Sequence, residues 1–200
     1  MGDVLRQDRA YTIEVLLKIL EIFEDEYQEL GTSMPHHSIC ACMFLLVTCL
    51  GGMRGYEAMW TNELALRYDI EFCEESEDPA VSWPIVGRFK SHAGIAGCYM
   101  IPIAGETNSG IQFFRWTQRF LLALSRNEQH GGWVFQRMDG TRALASDFRT
   151  NIFEKLEYIQ STTTLIDPGC EIWEDYGVQR SGKIFFTTHT TNIGVKKIND

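Results

Sequence analysis

The stretch LGGMRGYEAMW, Leu50 to Trp60, closes the longest apolar run of the chain and sets an arginine and a glutamate three residues apart just past a pair of glycines. Upstream of it, Ile39 to Leu50 is almost wholly apolar and reads as a buried helix that starts around Ser33 or Pro35 and yields at Gly51-Gly52. Arg54 and Glu57 then fall on a short following helix. Residues so spaced are neighbours, so a surface ion pair worth about 0.3 kcal/mol is one reading. The other is an arginine held at the edge of a greasy segment to bind something negative.

Composition narrows the setting for that choice. Two hundred residues, 44% hydrophobic and 22% charged, describe one ordinary globular domain able to bury a core. No apolar leader opens the chain, since Asp3, Arg6, Asp8 and Arg9 occupy its first residues. The Ile39–Leu50 run has about half the length that a bilayer span needs, so no membrane partner is expected and an intracellular protein is: nuclear if eukaryotic, cytoplasmic if prokaryotic. The six cysteines lie mostly in apolar patterns without repeated C-x-x-C spacing, as reduced core thiols do. In PHHSICAC, His36 and Cys40 share a helix face at metal-ligand spacing, but Cys42 points elsewhere and no second ligand pair lies nearby. A small metal site built on His36, His37, Cys40 and Cys42 is therefore the least favoured reading, and neither a metal nor a cofactor is expected.

A net charge of −9 argues against a nonspecific nucleic-acid coat. The charge is unevenly spread, however. Asp69, Glu71, Glu74, Glu75, Glu77 and Asp78 form an acidic run, whereas residues 85–150 carry an excess of lysine and arginine. That basic middle either faces a polyanion or is a solvated mixed surface.

Along the chain, residues 10–29 read as an amphipathic helix with Ile13, Leu16, Leu17, Leu20 and Phe23 on one face, stopped by Gly31. WPIVGRFK and GCYMIPIA, parted by the turn-prone SHAGIA, predict a β-hairpin at about 84–103 with Lys90 at the edge of its turn. SGIQFFRWTQRFLLALSR is helical by spacing over 111–126, with Arg115, Arg119 and Arg126 on a solvated face. A short strand at WVF, a turn at Asp139-Gly140 and a helix over 146–160 capped by Ser146 or Asp147 follow. After Pro168-Gly169, QRSGKIFFTTHTTNIGV predicts a last helix that stops at Gly194. The expected class is mainly α with a small antiparallel β-sheet (α+β), as one domain over 1–200 without repeats or linkers.

The order of these elements and two boxes resembles the catalytic domain of the tyrosine recombinases, or phage-type integrases, and their divergent relatives in mobile elements. The first box of that family, G-L-R-x-x-E, is matched by GMRGYE at Gly52, Arg54 and Glu57. Its second, H-x-x-R-H-x-F-A-T-H, lines up with RSGKIFFTTH, where Phe186, Thr188 and His189 agree and Arg180 and Lys183 stand at the first and fourth positions. The hairpin lysine corresponds best to Lys90.

The resemblance implies a DNA breaking-and-rejoining fold, with duplex DNA as partner and homo-oligomers assembled on it. It assigns Arg54, Lys90, Arg180 and Lys183 to the catalytic pocket, and these with His189 to DNA binding. Arginine suits a phosphodiester because its planar fork donates two charge-assisted hydrogen bonds to the non-bridging oxygens. Lys90 would serve as general acid toward the leaving 5′ oxygen. Lys183 keeps charge without the fork, and Arg180 supplies charge where the family often has a proton-transferring histidine. The family's nucleophilic tyrosine lies beyond the second box, and all seven tyrosines here precede it. The stretch is thus expected to lack the C-terminal part of such a domain and not to cut DNA by itself; the alternative is a non-catalytic helical interaction protein derived from a recombinase.

Overall fold

The most apolar run of the chain is also its most enclosed element. In the computed structural model, which describes residues 8–59, 70–73, 79–86, 98–125 and 132–189, the helix α2 (His36–Leu50) is buried at every residue from Ser38 to Leu50. A helix that is apolar all round must be surrounded, and each buried Leu or Ile side chain contributes roughly 2 kcal/mol by leaving water. Around it pack α1 (Ile13–Leu30), α4 (Phe113–Ser125), α5 (Arg149–Thr162) and α7 (Ser181–His189). The short helices α3 (Gly55–Ala58) and α6 (Ile172–Asp175) complete the helical set among the described residues.

Local signals explain the helix ends. The Thr12 hydroxyl accepts from the Val15 amide at 3.2 Å to start α1, as an N-cap side chain should. Gly31 ends it at φ 55°, donating its N–H to the Tyr27 carbonyl, a conformation that glycine adopts without a Cβ penalty. The buried face of α1 is Val15, Leu16, Ile19, Leu20 and Phe23. Ile13 and Leu17, expected on that face, lie at its margin and are only partly buried. The start of α2 falls at His36, after Pro35.

Among the described residues, the sheet has three antiparallel strands in the order β1 (Glu71–Cys73), β2 (Ala80–Val86), β3 (Cys98–Ala104). The hairpin expected near 84–103 is the β2–β3 pair, with Trp83 opposite Ile101 and β2 beginning four residues earlier than anticipated. Among the described residues β1 covers only Ala80 to Ser82, so Pro84 lies beyond the described pairing of β1 with β2, a position where a missing N–H is tolerated. Trp83 is fully buried and meets the rings of Phe113, Phe120 and Phe135 at 5.9–6.2 Å. These aromatic contacts seat the sheet on α4.

Three sequence expectations are corrected. Trp133–Phe135 forms no extended strand: Trp133 carries a lone bridge, and Gln136 makes an isolated bridge to Arg142 that flanks the expected turn, where Gly140 donates to the Arg137 carbonyl at 2.9 Å. The helix expected from 146 begins as a 3-10 turn at Ala145–Phe148 and becomes α5 at Arg149; Asp147 supports that turn by accepting the Leu144 amide at 2.9 Å. Finally, Arg119 does not face solvent. It is buried, stacked on Tyr27 and Trp116, and paired with Glu24. Arg115 reaches the same carboxylate at 3.3 Å from an exposed position, and Arg126 lies outside the described residues. The architecture is α+β, and no described helix is long and apolar enough to cross a membrane.

Candidate functional site

Two loops ending in glycine-dependent contacts bring the two sequence boxes together. Gly52 lies at φ 66°, and a Cβ there would come within 2.6–2.9 Å of the Phe186 ring on α7. From the other side, a Cβ at Gly182 would meet the Thr48 side chain at 2.4 Å, so α7 rests directly on the end of α2. Larger residues at either position would push α7 off its seat. The Gly55 amide then donates to the Gln179 carbonyl at 2.9 Å, tying the start of α3 to the start of α7 through the backbone.

Arg54 stands at the N-terminal boundary of α3, one residue before the helix where the sequence suggested a position on it. Its backbone N–H donates to Glu57 Oε2 at 2.7 Å. Glu57 is buried, and the guanidinium Nη1 lies 3.9 Å from its other oxygen, beyond hydrogen-bond range. The carboxylate therefore grips the main chain, and the charged head is left to the Tyr56 hydroxyl, which accepts from Nη1 at 3.1 Å and lies 3.3 Å from Glu57 Oε1. An ordinary helix-end ion pair would use the short contact on the guanidinium. Here the short contact orients the arginine instead.

Arg54, Arg180 and Lys183 line one open pocket of about 700 Å³ with Asp8, Tyr56, Gln179, Ile184 and Thr187. Arg180 is exposed and Lys183 half-buried. Ser181, fully buried, fixes the entry to α7 by accepting the Gly177 amide at 3.0 Å while its own amide donates to the Gly177 carbonyl at 2.9 Å. Three cations from segments 126 residues apart thus face a common space in which, among the described lining residues, they are opposed by a single carboxylate, that of Asp8. Such a concave cationic surface attracts anions, and an arginine fork beside a lysine point charge matches a phosphodiester oxygen pair.

No family model and no curated protein matches the chain.

Not every residue implied by the resemblance enters the pocket. His189 is not among its lining residues; it ends α7 with its ring 5.0 Å from that of Phe185. Lys90 lies outside the described residues. Conversely, Asp8 and Tyr56 line the site without having been singled out. Tyr56 could have been noticed inside the first box, but Asp8 sits in an irregular segment with no periodic signal.

The metal reading fares differently. His36 Nε2 does approach Cys40 Sγ at 3.4 Å, yet the same nitrogen is 2.9 Å from the Gln136 carbonyl, and no described group of three His, Cys, Asp or Glu side chains could hold an ion. Burial also pushes the thiols of Cys40, Cys42 and Cys49 well above their ordinary range, which keeps them protonated and poor as ligands or nucleophiles.

Proposed function

We propose that this is a tyrosine recombinase-like DNA-binding domain, associated with DNA recombination or integration, which receives a phosphodiester of duplex DNA in the pocket between α3 and α7. The observation that carries the reading is the meeting of Arg54, Arg180 and Lys183 in one open pocket. In this reading Arg54, oriented by Glu57 and Tyr56, clamps the phosphate with its fork. Lys183 supplies a second charge from the first turn of α7, and Arg180 contacts the backbone at the mouth. The general-acid role of Lys90 and the assembly of copies on DNA rest on the resemblance alone.

The test is duplex-DNA binding by fluorescence anisotropy across a salt series. Phosphate contacts release counterions, so affinity should fall steeply with salt, and Lys183→Ala should lower the log–log slope by about 1. Arg54→Ala should weaken binding about tenfold, the size of one lost charge-assisted contact. A salt-independent affinity, or an Arg54→Ala protein that binds as the wild type does, would sink the proposal. On a nicked suicide substrate these 200 residues should give no protein–DNA adduct on a denaturing gel; an adduct abolished by replacing one of the seven tyrosines would reveal a nucleophile within the stretch.

The net charge of −9 favours one second reading, a non-catalytic interaction protein derived from a recombinase. That reading expects a protein partner and no DNA dependence on Arg54.

A further inference from the structure

We infer that Asp8 is a built-in counter-anion of this pocket, a carboxylate that holds the place of a bound phosphate and limits the affinity of the site for polyanions. The inference rests on reading the pocket as an anion site. Among the described residues, Asp8 is the acid that lines it beside Arg54, Arg180 and Lys183. Its side chain lies flat against the backbone at Gly177: a Cβ there would come within 2.5 Å of Oδ2 and 2.7 Å of Cγ. Gly177 in turn accepts the Arg180 and Ser181 amides that begin α7, so the carboxylate rests beside the positive end of that helix, where anions are favoured.

The carboxylate is not a loose charge swept across the surface. The Arg9 amide donates to the Asp175 carbonyl at 2.7 Å, and the Arg9 guanidinium Nε lies 3.7 Å from Asp175 Oδ2. Two residues further on, the Tyr11 ring is buried and stacked on Tyr176 at 5.5 Å with 12° between planes. A backbone hydrogen bond, an ion pair and a stacked ring pair therefore fix residues 9–11 onto 175–176, and they fix Asp8 over the pocket with them. A phosphate entering the same space must either share it with a like charge or displace that segment. Both routes weaken binding, the first through repulsion and the second through lost contacts.

Removing the charge while keeping the shape isolates the effect. Asp8→Asn should bind both inorganic phosphate and duplex DNA more tightly than wild type, by about threefold to tenfold at low salt for a unit charge several ångströms from the ligand. Glu29→Gln makes the same change in net charge at an exposed position on α1. It should stay within about twofold of wild type, the small effect of a screened surface charge. Phosphate binding is read by NMR titration and DNA binding by anisotropy, with urea denaturation confirming that each variant is folded; Asp8→Ala repeats the test if Asn alters the packing on Gly177.

An Asp8→Asn protein that binds both probes no better than wild type, or no better than Glu29→Gln, overturns the inference. If Arg54→Ala weakens DNA binding while Asp8→Asn leaves it unchanged, the inference fails and the DNA reading stands. If Asp8→Asn gains affinity for phosphate while no variant binds DNA, the inference stands and the DNA reading fails. A protein that binds neither probe, with or without Asp8, overturns the inference as well, since uncovering the pocket would then expose no anion site.

Discussion

Arg119 and Arg54 are the same residue in two opposite circumstances. Arg119 is enclosed between the rings of Tyr27 and Trp116, with its fork on both oxygens of Glu24, one of them at 2.9 Å. Arg54 keeps its guanidinium toward an open pocket because its neighbouring carboxylate holds the backbone instead. The first arrangement uses charge to build the fold, and the second leaves charge available to a ligand. What separates them is which atoms the nearest acid engages, a property that no spacing in the sequence reports.

The contrast is broken most directly at Arg119. Arg119→Ala strips a buried partner from Glu24 and should cost roughly 3 kcal/mol in urea denaturation, while any DNA binding by the folded fraction stays within about twofold of wild type, because Arg119 does not line the pocket. A loss below about 1 kcal/mol would place the pair among ordinary surface bridges. Arg54→Ala should do the reverse, lowering stability by less than about 1 kcal/mol because its ion-pair geometry is marginal.

Acid should attack the Arg119 region in its own pH window. Hydrogen bonds from Arg119, opposed by partial burial and aided by Gln28, hold the Glu24 carboxyl at about 2, below its ordinary 4.5. A carboxyl depressed in the folded state stabilises fully above its unfolded value, and that stabilisation is lost as pH falls from about 4.5 through about 2. Discounted for its partial exposure, the contribution is on the order of 2 kcal/mol. Glu24→Gln should flatten the stability profile across that window; an unchanged profile would mean that other carboxyls govern acid unfolding.

A small effect is expected at His189. Because it packs on Phe185 and does not line the pocket, His189→Ala should change DNA affinity by less than about threefold, well short of the Arg54 effect expected of a direct phosphate contact. A loss as large as that of Arg54→Ala would bring His189 back into the site.

The elements with long, regular apolar periods were legible in the sequence: α1, α2, α4, α5 and the hairpin all lie where periodicity puts them, within a few residues. The short pieces were not. Glu71–Cys73 carries too few residues to show alternation, and in the β-former-rich Trp133–Phe135 stretch Val134 and Phe135 go into the core, Phe135 against Trp83 and Phe44, instead of into a strand. In the site, Arg54, Arg180 and Lys183 could be nominated from the two boxes, but the boxes say nothing of Asp8. Its place depends on a backbone hydrogen bond between residues 9 and 175, a pairing far from any local pattern.

The Gly55–Gln179 hydrogen bond gives the pocket a date of birth. Arg54 leaves the ribosome with nothing to face, and the partner segment at 178–183 is made more than a hundred residues later, on the order of ten seconds at roughly 5–20 residues per second. Until then the nascent chain carries scattered cations and no cleft in which they face one another. Closure over so long a loop also belongs to the slow class of folding events. The Gly55 amide, which becomes protected from hydrogen exchange when Gln179 arrives, is the natural clock for it.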